Sequence, residues 1–413
     1  MNTTRYVCLL VAVLVIARAQ QPENPALASF DQVWNTVRAR HWDPEKTGAA
    51  WDRARAELRP EAARVHSAAE VRPFIQRLLD TLHQSHFGVI PAEAYDKIND
   101  GSADGLAQPA FDFRILDGEA VITRGSAAIR RGWTILRIGS QDVPALIEKA
   151  RGVANGQREM QLISYTVLLH RMSGNAGDIK TITFGVDKSA TMTCDVELVS
   201  PEHVARLGNL PPIPMQIESR KLDDSTGYFR FNAFFEPEWL QAELGAAVRA
   251  CSSCSGFVID LRGNFGGLVG LVPAVAAWFV PERRPMGTLI STTGTLKLNI
   301  NPRAETFHGR LALLIDSLSV SSAEFLAAGL KDLGRARLFG ETTQGAALPS
   351  SVEKLPDGDQ FQFVTANYVS AAGKAVEGAG VMPHETVRLN RNALLIGHDP
   401  ALEAARLWLS TKE

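Results

Sequence analysis

Residues 311–333 read LALLIDSLSVSSAEFLAAGLKDL, and this stretch decides the fold. Leu311–Ile315 is an unbroken apolar run of strand length, Ser317–Ser321 is a short polar turn, and Glu324–Leu333 carries a helical pattern. A strand apolar on both faces must be covered on both faces, and in a chain that alternates strand and helix signals this means an α/β layer. The alternation extends to either side. GYFRFNAF (227–234) precedes a helical Trp239–Arg249, and FVIDL (257–261) precedes a helical Val269–Phe279. Residues 225–390 are therefore expected to form an α/β unit.

Upstream the character changes. Residues 105–200 hold short β-rich runs (AFDFRIL, EAVITR, TILRIG, IKTITFGV, TMTCDVELV) separated by turn residues, with one helical insertion at about 144–172. Leu210-Pro-Pro-Ile-Pro214 reads as a linker. Residues 27–98 read as helical: Phe30, Val33, Trp34 and Val37 recur at i, i+3, i+4, i+7, and a second stripe runs through Val71, Phe74, Ile75, Leu78, Leu79 and Leu82. Ser67-Ala-Ala-Glu70 ahead of that stripe fits a capping box. The helical segment ends in His83-Gln-Ser-His-Phe-Gly88.

The chain opens MNTTRYVCLLVAVLVIARAQ, in which Arg5, the apolar run Val7–Ile16 and Ala17-Arg-Ala19 form the three regions of a secretory signal peptide. That run is about half the ~20 residues a membrane span needs. The expected organisation is a signal peptide at 1–19 cleaved near Ala19-Gln20, a helical domain at 20–100, a β-rich module at 105–200 and an α/β domain at 215–413. The expected compartment is periplasmic or extracellular.

Composition narrows the function. The 413 residues carry 43 Lys plus Arg against 45 Asp plus Glu, a net charge of −2, so no basic excess invites nucleic acid. Four cysteines are too few for a disulfide scaffold. Cys251-Ser-Ser-Cys254 has no second pair to complete a zinc site, so it reads as a local disulfide or two idle thiols. Phosphate-binding glycine motifs and the H-E-x-x-H spacing are absent from the sequence, and no cofactor or metal is expected.

Two turns after apolar strands carry the candidate chemistry. Ser321 lies between strand and helix, where α/β folds place their sites, and the N–H of Ser322 belongs to a helix N-terminus. This suits a nucleophile with half an oxyanion hole beside it. The plainer reading of Ser321-x-x-Glu324 is a capping box. Asp260-Leu-Arg-Gly-Asn-Phe-Gly-Gly267 follows the preceding strand; its paired glycines either present N–H groups to a reacting carbonyl or form an ordinary turn. A serine nucleophile needs a base, and composition does not choose among nine histidines.

In chain order, LLDTLHQSHFG, DLRGNFGG, SLSVSSAEFLAAGLKDLGRARLFGETTQG and VEGAGVMPHETV resemble the motifs of the tail-specific (C-terminal processing) serine peptidases, including their tricorn-protease-like branch. The likeness covers most of the chain beyond the signal. It implies an α+β and α/β multidomain protein: an N-terminal helical segment, a PDZ-like β module and a C-terminal crotonase-like core of ββα type. The dyad branch of that family places a lysine directly after its G-E-x-T-x-G loop; here Ala346 stands there, and 335–353 contains no lysine. The tricorn-like branch uses a tetrad, which the resemblance assigns to Ser321, Ser85, His86 and Glu377.

By that resemblance His86 takes the proton from Ser321, Glu377 acts on His86 through Ser85, and Ser322 with Gly266 or Gly267 holds the oxyanion. The expected imidazole is solvated, near its ordinary pKa of about 6.5. Ser322 occupies the position where tricorn-like proteases can carry an acidic residue, so a preference for basic substrate ends is not indicated. The β-rich module lacks a clear carboxylate-binding loop, AFDFRIL being the nearest candidate. The implied activity is an exported serine endopeptidase or carboxy-terminal processing peptidase acting on peptides or proteins. The alternative is a non-catalytic binder of apolar ligands or peptides on the same scaffold, like the family's retinoid-binding relatives.

Overall fold

The decisive apolar run becomes the strand Arg310–Ile315, buried at every position after the first. In this computed structural model, which describes residues 24–93, 105–126, 128–187, 189–208 and 210–411, the strand lies inside a six-stranded sheet. The order is 217–223, 226–231, 256–260, 310–315, 336–340 and 385–386; the first pair is antiparallel and the others parallel. Leu311, Leu313 and Ile315 face a layer formed by the helices Pro237–Ala250, Leu271–Ala276 and Ser322–Asp332. Ala312 and Leu314 face Ala401, Ala405 and Leu409 of the helix Pro400–Ser410. Side chains alternate across a strand, so a strand sandwiched between helices is apolar at every position. The expected signal peptide and its cleavage point lie outside the described residues.

The helices Pro25–Arg40, Ala49–Ala62 and Ala68–Asp80 form the N-terminal segment around Phe30, Val33, Trp51, Ile75 and Leu78. The Ser67–Glu70 capping box is present. Helix is not continuous through this segment, however: after Asp80 the chain turns, and Gly88–Ile90 is a strand, while 94–98 lie outside the described residues. It pairs antiparallel with Gln360–Gln362, adding a third strand to the hairpin Ser350–Lys354/Gln360–Val364 of the α/β unit. Leu355, Phe361 and Phe363 of that hairpin are buried in the same cluster as the N-terminal helices. One cluster thus unites the N-terminal helices with this hairpin.

The β-rich region forms a seven-stranded antiparallel sheet spanning Gln108–Val199. Its insertion is two helices, Val143–Val153 and Gln157–Met172, broken at Gly156 with φ +108°. The Pro-rich linker is more ordered than expected: Ile213–Met215 pairs with His203–Ala205. Pro214 is tolerated because this ladder has only two strands and asks for no N–H on its outer edge.

Candidate active site

Ser321 sits at the junction of strand and helix in a strained conformation, φ +57° and ψ −120°, rather than the extended one usual for a helix cap. Only five described non-glycine residues have positive φ, and His83, His86 and Ser321 are three of them. Such strain concentrates at functional sites because the surroundings must over-determine it. Here they do. Ser321 N–H donates to Ala346 O at 2.9 Å and to Glu324 Oε2 at 3.1 Å. Val320 N–H donates to Asn264 O at 2.9 Å, and Ser319 Oγ donates to Leu261 O at 2.8 Å, so the DLRG loop supports the turn from below. The Glu324 half of the capping box is formed, while the Glu324 N–H donates to Ser321 O at 2.7 Å and leaves the Ser321 hydroxyl out of the cap.

The glycine loop packs directly on this serine. A Cβ on Gly266 would lie 2.6 Å from Ser321 Cβ, and its φ is +81°. The Gly266 N–H is donated to Asn264 Oδ1 at 2.9 Å. The N–H groups of Gly267 and Ser322 carry no protein hydrogen bond among the described residues. Ser322 Oγ donates to Gly267 O at 2.8 Å, tying the loop to the start of the helix.

Glu377 Oε1 accepts the N–H of Ser85 at 2.9 Å, and Oε2 accepts the Ser85 hydroxyl at 2.9 Å and the Ala347 N–H at 2.7 Å. Ser85 Oγ lies 2.7 Å from His86 Nδ1. Since the single hydroxyl proton of Ser85 goes to a carboxylate that only accepts, the Ser85 oxygen must accept from His86. The network therefore assigns the imidazole proton to Nδ1 and leaves Nε2 as a lone pair. Ser85, His86 and Glu377 are thus assembled across 292 positions of sequence. Ser321 Oγ makes no hydrogen bond to His86; in unliganded sites such bonds are often long and tighten when substrate binds.

The His86 side chain is half-buried rather than fully solvated. Burial pushes His86 down to about 4, so the ring is neutral across the neutral range. Burial has the opposite sign for Glu324, whose carboxyl is lifted to about 7 despite hydrogen bonds from Thr343, Gly345, Ser321 and Ala346 that pull it down.

Residues 225–387 match peptidase family S41, and residues 22–80 match the tricorn protease C1 domain. The chain thus carries a family S41 peptidase region at 225–387. Relatives similar to this chain carry the carboxyl-terminal-processing name. One is carboxyl-terminal-processing peptidase 3, chloroplastic, of Arabidopsis thaliana, 26% identical over 365 residues that cover 85% of this chain and 67% of the relative. Another is the carboxyl-terminal-processing protease of Synechocystis sp., 29% identical over 44% of this chain and 42% of the relative. The chain spans about half the length of the bacterial relatives it matches. The fold is similar to that of the photosystem II D1 C-terminal processing protease, with a TM-score of 0.59 at 19% identity over 95% of this chain and 98% of the other. It is similar also to that of the tricorn protease, with a TM-score of 0.53 at 15% identity over 93% of this chain and 36% of the other.

Two features of the site went unread in the sequence. Arg158, on the insertion helix Gln157–Met172, donates to the carbonyls of Thr343, Gly378 and Ala379 at 2.7, 2.9 and 2.8 Å. It clamps the loop that carries Glu377 against the loop after strand Ala336–Gly340, and no local pattern marks it. Glu324 was legible only as a cap. Cys251 and Cys254 form the local disulfide, and no group of three or more metal-ligating side chains is placed to hold a metal among the described residues.

Proposed function

We propose that this protein is an exported processing peptidase with a Ser–His–Ser–Glu tetrad. The observation that carries the reading is the hydrogen-bonded relay Glu377–Ser85–His86, which presents an unprotonated Nε2. His86 takes the hydroxyl proton of Ser321 as Oγ attacks a peptide carbonyl, and the C–O bond forms as the carbonyl electrons move to oxygen. The N–H groups of Gly267 and Ser322 receive that oxyanion; losing one such donor typically costs about 10²–10³ in kcat. His86 then gives the proton to the leaving amine, and water repeats the cycle on the acyl-enzyme. Glu377 acts through Ser85, holding the tautomer and stabilising the imidazolium.

The domain scheme 20–100, 105–200 and 215–413, with a PDZ-like module and a crotonase-like core, is part of the proposal. Apolar clusters centred in the helical, β-rich and α/β regions support it, the first of them shared with Leu355, Phe361 and Phe363 of the α/β unit. Peptide capture by strand addition is not expected at AFDFRIL. Its strand, Asp112–Leu116, is buried after the first residue, and Ile115 O accepts Gln161 Nε2 at 3.0 Å. Export rests on the N-terminal pattern and agrees with a Cys251–Cys254 disulfide, since disulfides persist in oxidising compartments. No helix among the described residues is long and apolar enough to cross a membrane. The apolar-ligand alternative gains nothing from the cleft of about 410 Å³ beside the sheet, which is walled by charged side chains such as Arg114, Arg230, Arg262, Asp260 and Asp399.

The test is labelling of the full chain by a fluorophosphonate probe. Wild type is expected to label, and Ser321→Ala and His86→Ala each to abolish labelling. Labelling that survives either change, in folded protein, overturns the tetrad.

A further inference from the structure

Glu324 makes more contacts than a helix cap requires. A capping-box glutamate needs only to reach back to the N-cap N–H. Glu324 does this, accepting Ser321 N–H, but its other three bonds go to a segment about twenty residues on: Gly345 N–H at 2.7 Å, Ala346 N–H at 3.0 Å, and the Thr343 hydroxyl. The side chain is fully buried and no arginine or lysine hydrogen-bonds to it. A buried carboxylate is tolerated only when its lone pairs are met, and here four donors meet both oxygens.

The next amide in the same segment, Ala347 N–H, goes to the other carboxylate, Glu377 Oε2, at 2.7 Å. Three successive amides, Gly345, Ala346 and Ala347, therefore read two carboxylates, one belonging to the nucleophile's turn and one to the relay. The segment cannot slide independently. Gly345 has φ +79° and packs against Gly378 and Gly380, and Gly378 N–H donates to Gly345 O at 2.7 Å. Thr343 Oγ1 accepts Val381 N–H at 2.7 Å while donating to Glu324. A continuous path thus runs from the backbone of Ser321 through Glu324 and the 345–347 amides to Glu377, Ser85 and His86.

We infer that Glu324 is a positioning residue of the active site, setting the nucleophile's turn in register with the Glu377–Ser85–His86 relay through the amides of Gly345–Ala347. This rests on the serine-nucleophile reading above. At position 346, where the dyad branch has a lysine, this chain uses the backbone instead: Ala346 gives its N–H to Glu324 and its carbonyl to Ser321 N–H.

Glu324→Gln tests it, since the amide keeps the shape but points a donor at other donors. Three readouts are taken on the folded full chain: the second-order rate of fluorophosphonate labelling, amide hydrogen exchange in 83–90 and 343–347, and the NMR signals of the His86 imidazole. Labelling is expected to fall at least tenfold, exchange to rise in both segments, and the His86 signals to shift. A rise confined to 317–324, with 83–90 and His86 unchanged, reduces Glu324 to a cap and overturns the inference. If wild type itself does not label, the nucleophile reading fails, and exchange and NMR still decide the positioning role. Should the Gln variant not fold, Thr343→Val removes one donor from the same carboxylate and is read by the same exchange and NMR measurements.

Discussion

His86 shows how one side chain's surroundings reverse a reading made from its type. An imidazole with an ordinary pKa switches near neutrality, whereas burial holds this one near 4. The consequence for stability has a definite sign. The unfolded chain protonates at about 6.5 and the folded protein only near 4, so stability present above pH 6.5 is lost as pH falls toward 4. An NMR titration of the His86 ring should give a midpoint well below 6; a midpoint of 6.5 would mean that the ring is solvated and the burial argument wrong. Ser321 and Gly266 make the same point through backbone geometry. The motif DLRGNFGG marks the loop, but the choice between its two glycines turns on where the Asn264 amide points.

Among elements, the loops outweigh the regular structure. The nucleophile turn, the glycine loop, the 343–347 segment and the 377–380 loop converge because each follows a strand or helix of the α/β unit, and backbone hydrogen bonds cross between them. The insertion helix Gln157–Met172 joins them from the β-rich region through Arg158. Hydrogen bonds from a charged donor contribute roughly 1.5–3 kcal/mol, so Arg158→Ala is expected to destabilise the protein by about 2 kcal/mol and to speed amide exchange in 343–347. Chemical denaturation and hydrogen exchange check this; an unchanged exchange pattern would show that the clamp does not restrain the loop. Strand and helix positions in the α/β unit were legible because burial on two faces leaves an unmistakable apolar run. The strand Gly88–Ile90 was not legible, since three residues after a helix carry no period, and only its partner Gln360–Gln362 makes it extended.

At the scale of the molecule, the helical segment is bolted to the α/β unit by that strand pairing and by one shared apolar cluster. Phe361 is 1% exposed within it. Phe361→Ala is expected to cost about 3–5 kcal/mol and, on the proposed tetrad, to slow labelling of Ser321 beyond what the unfolded fraction accounts for, because this attachment holds the segment that carries His86. Comparing labelling rate with the denaturation curve separates the two effects; a rate that simply follows the folded fraction would place the attachment outside catalysis.

The sequence by itself determined the α/β layer and the β-rich and helical regions, and its ordered motifs singled out Ser321, Ser85, His86 and Glu377 as candidates, because strand burial, helical stripes and short motifs are local or nearly local signals. The tertiary structure alone decided which glycine N–H is free, which nitrogen of His86 carries the proton, how strongly its ring is depressed, and that Glu324 and Arg158 hold the loops together. Each of these depends on which backbone amide or carbonyl, up to about 300 residues away, ends within hydrogen-bond reach of a given side chain. No spacing in a linear chain records that distance.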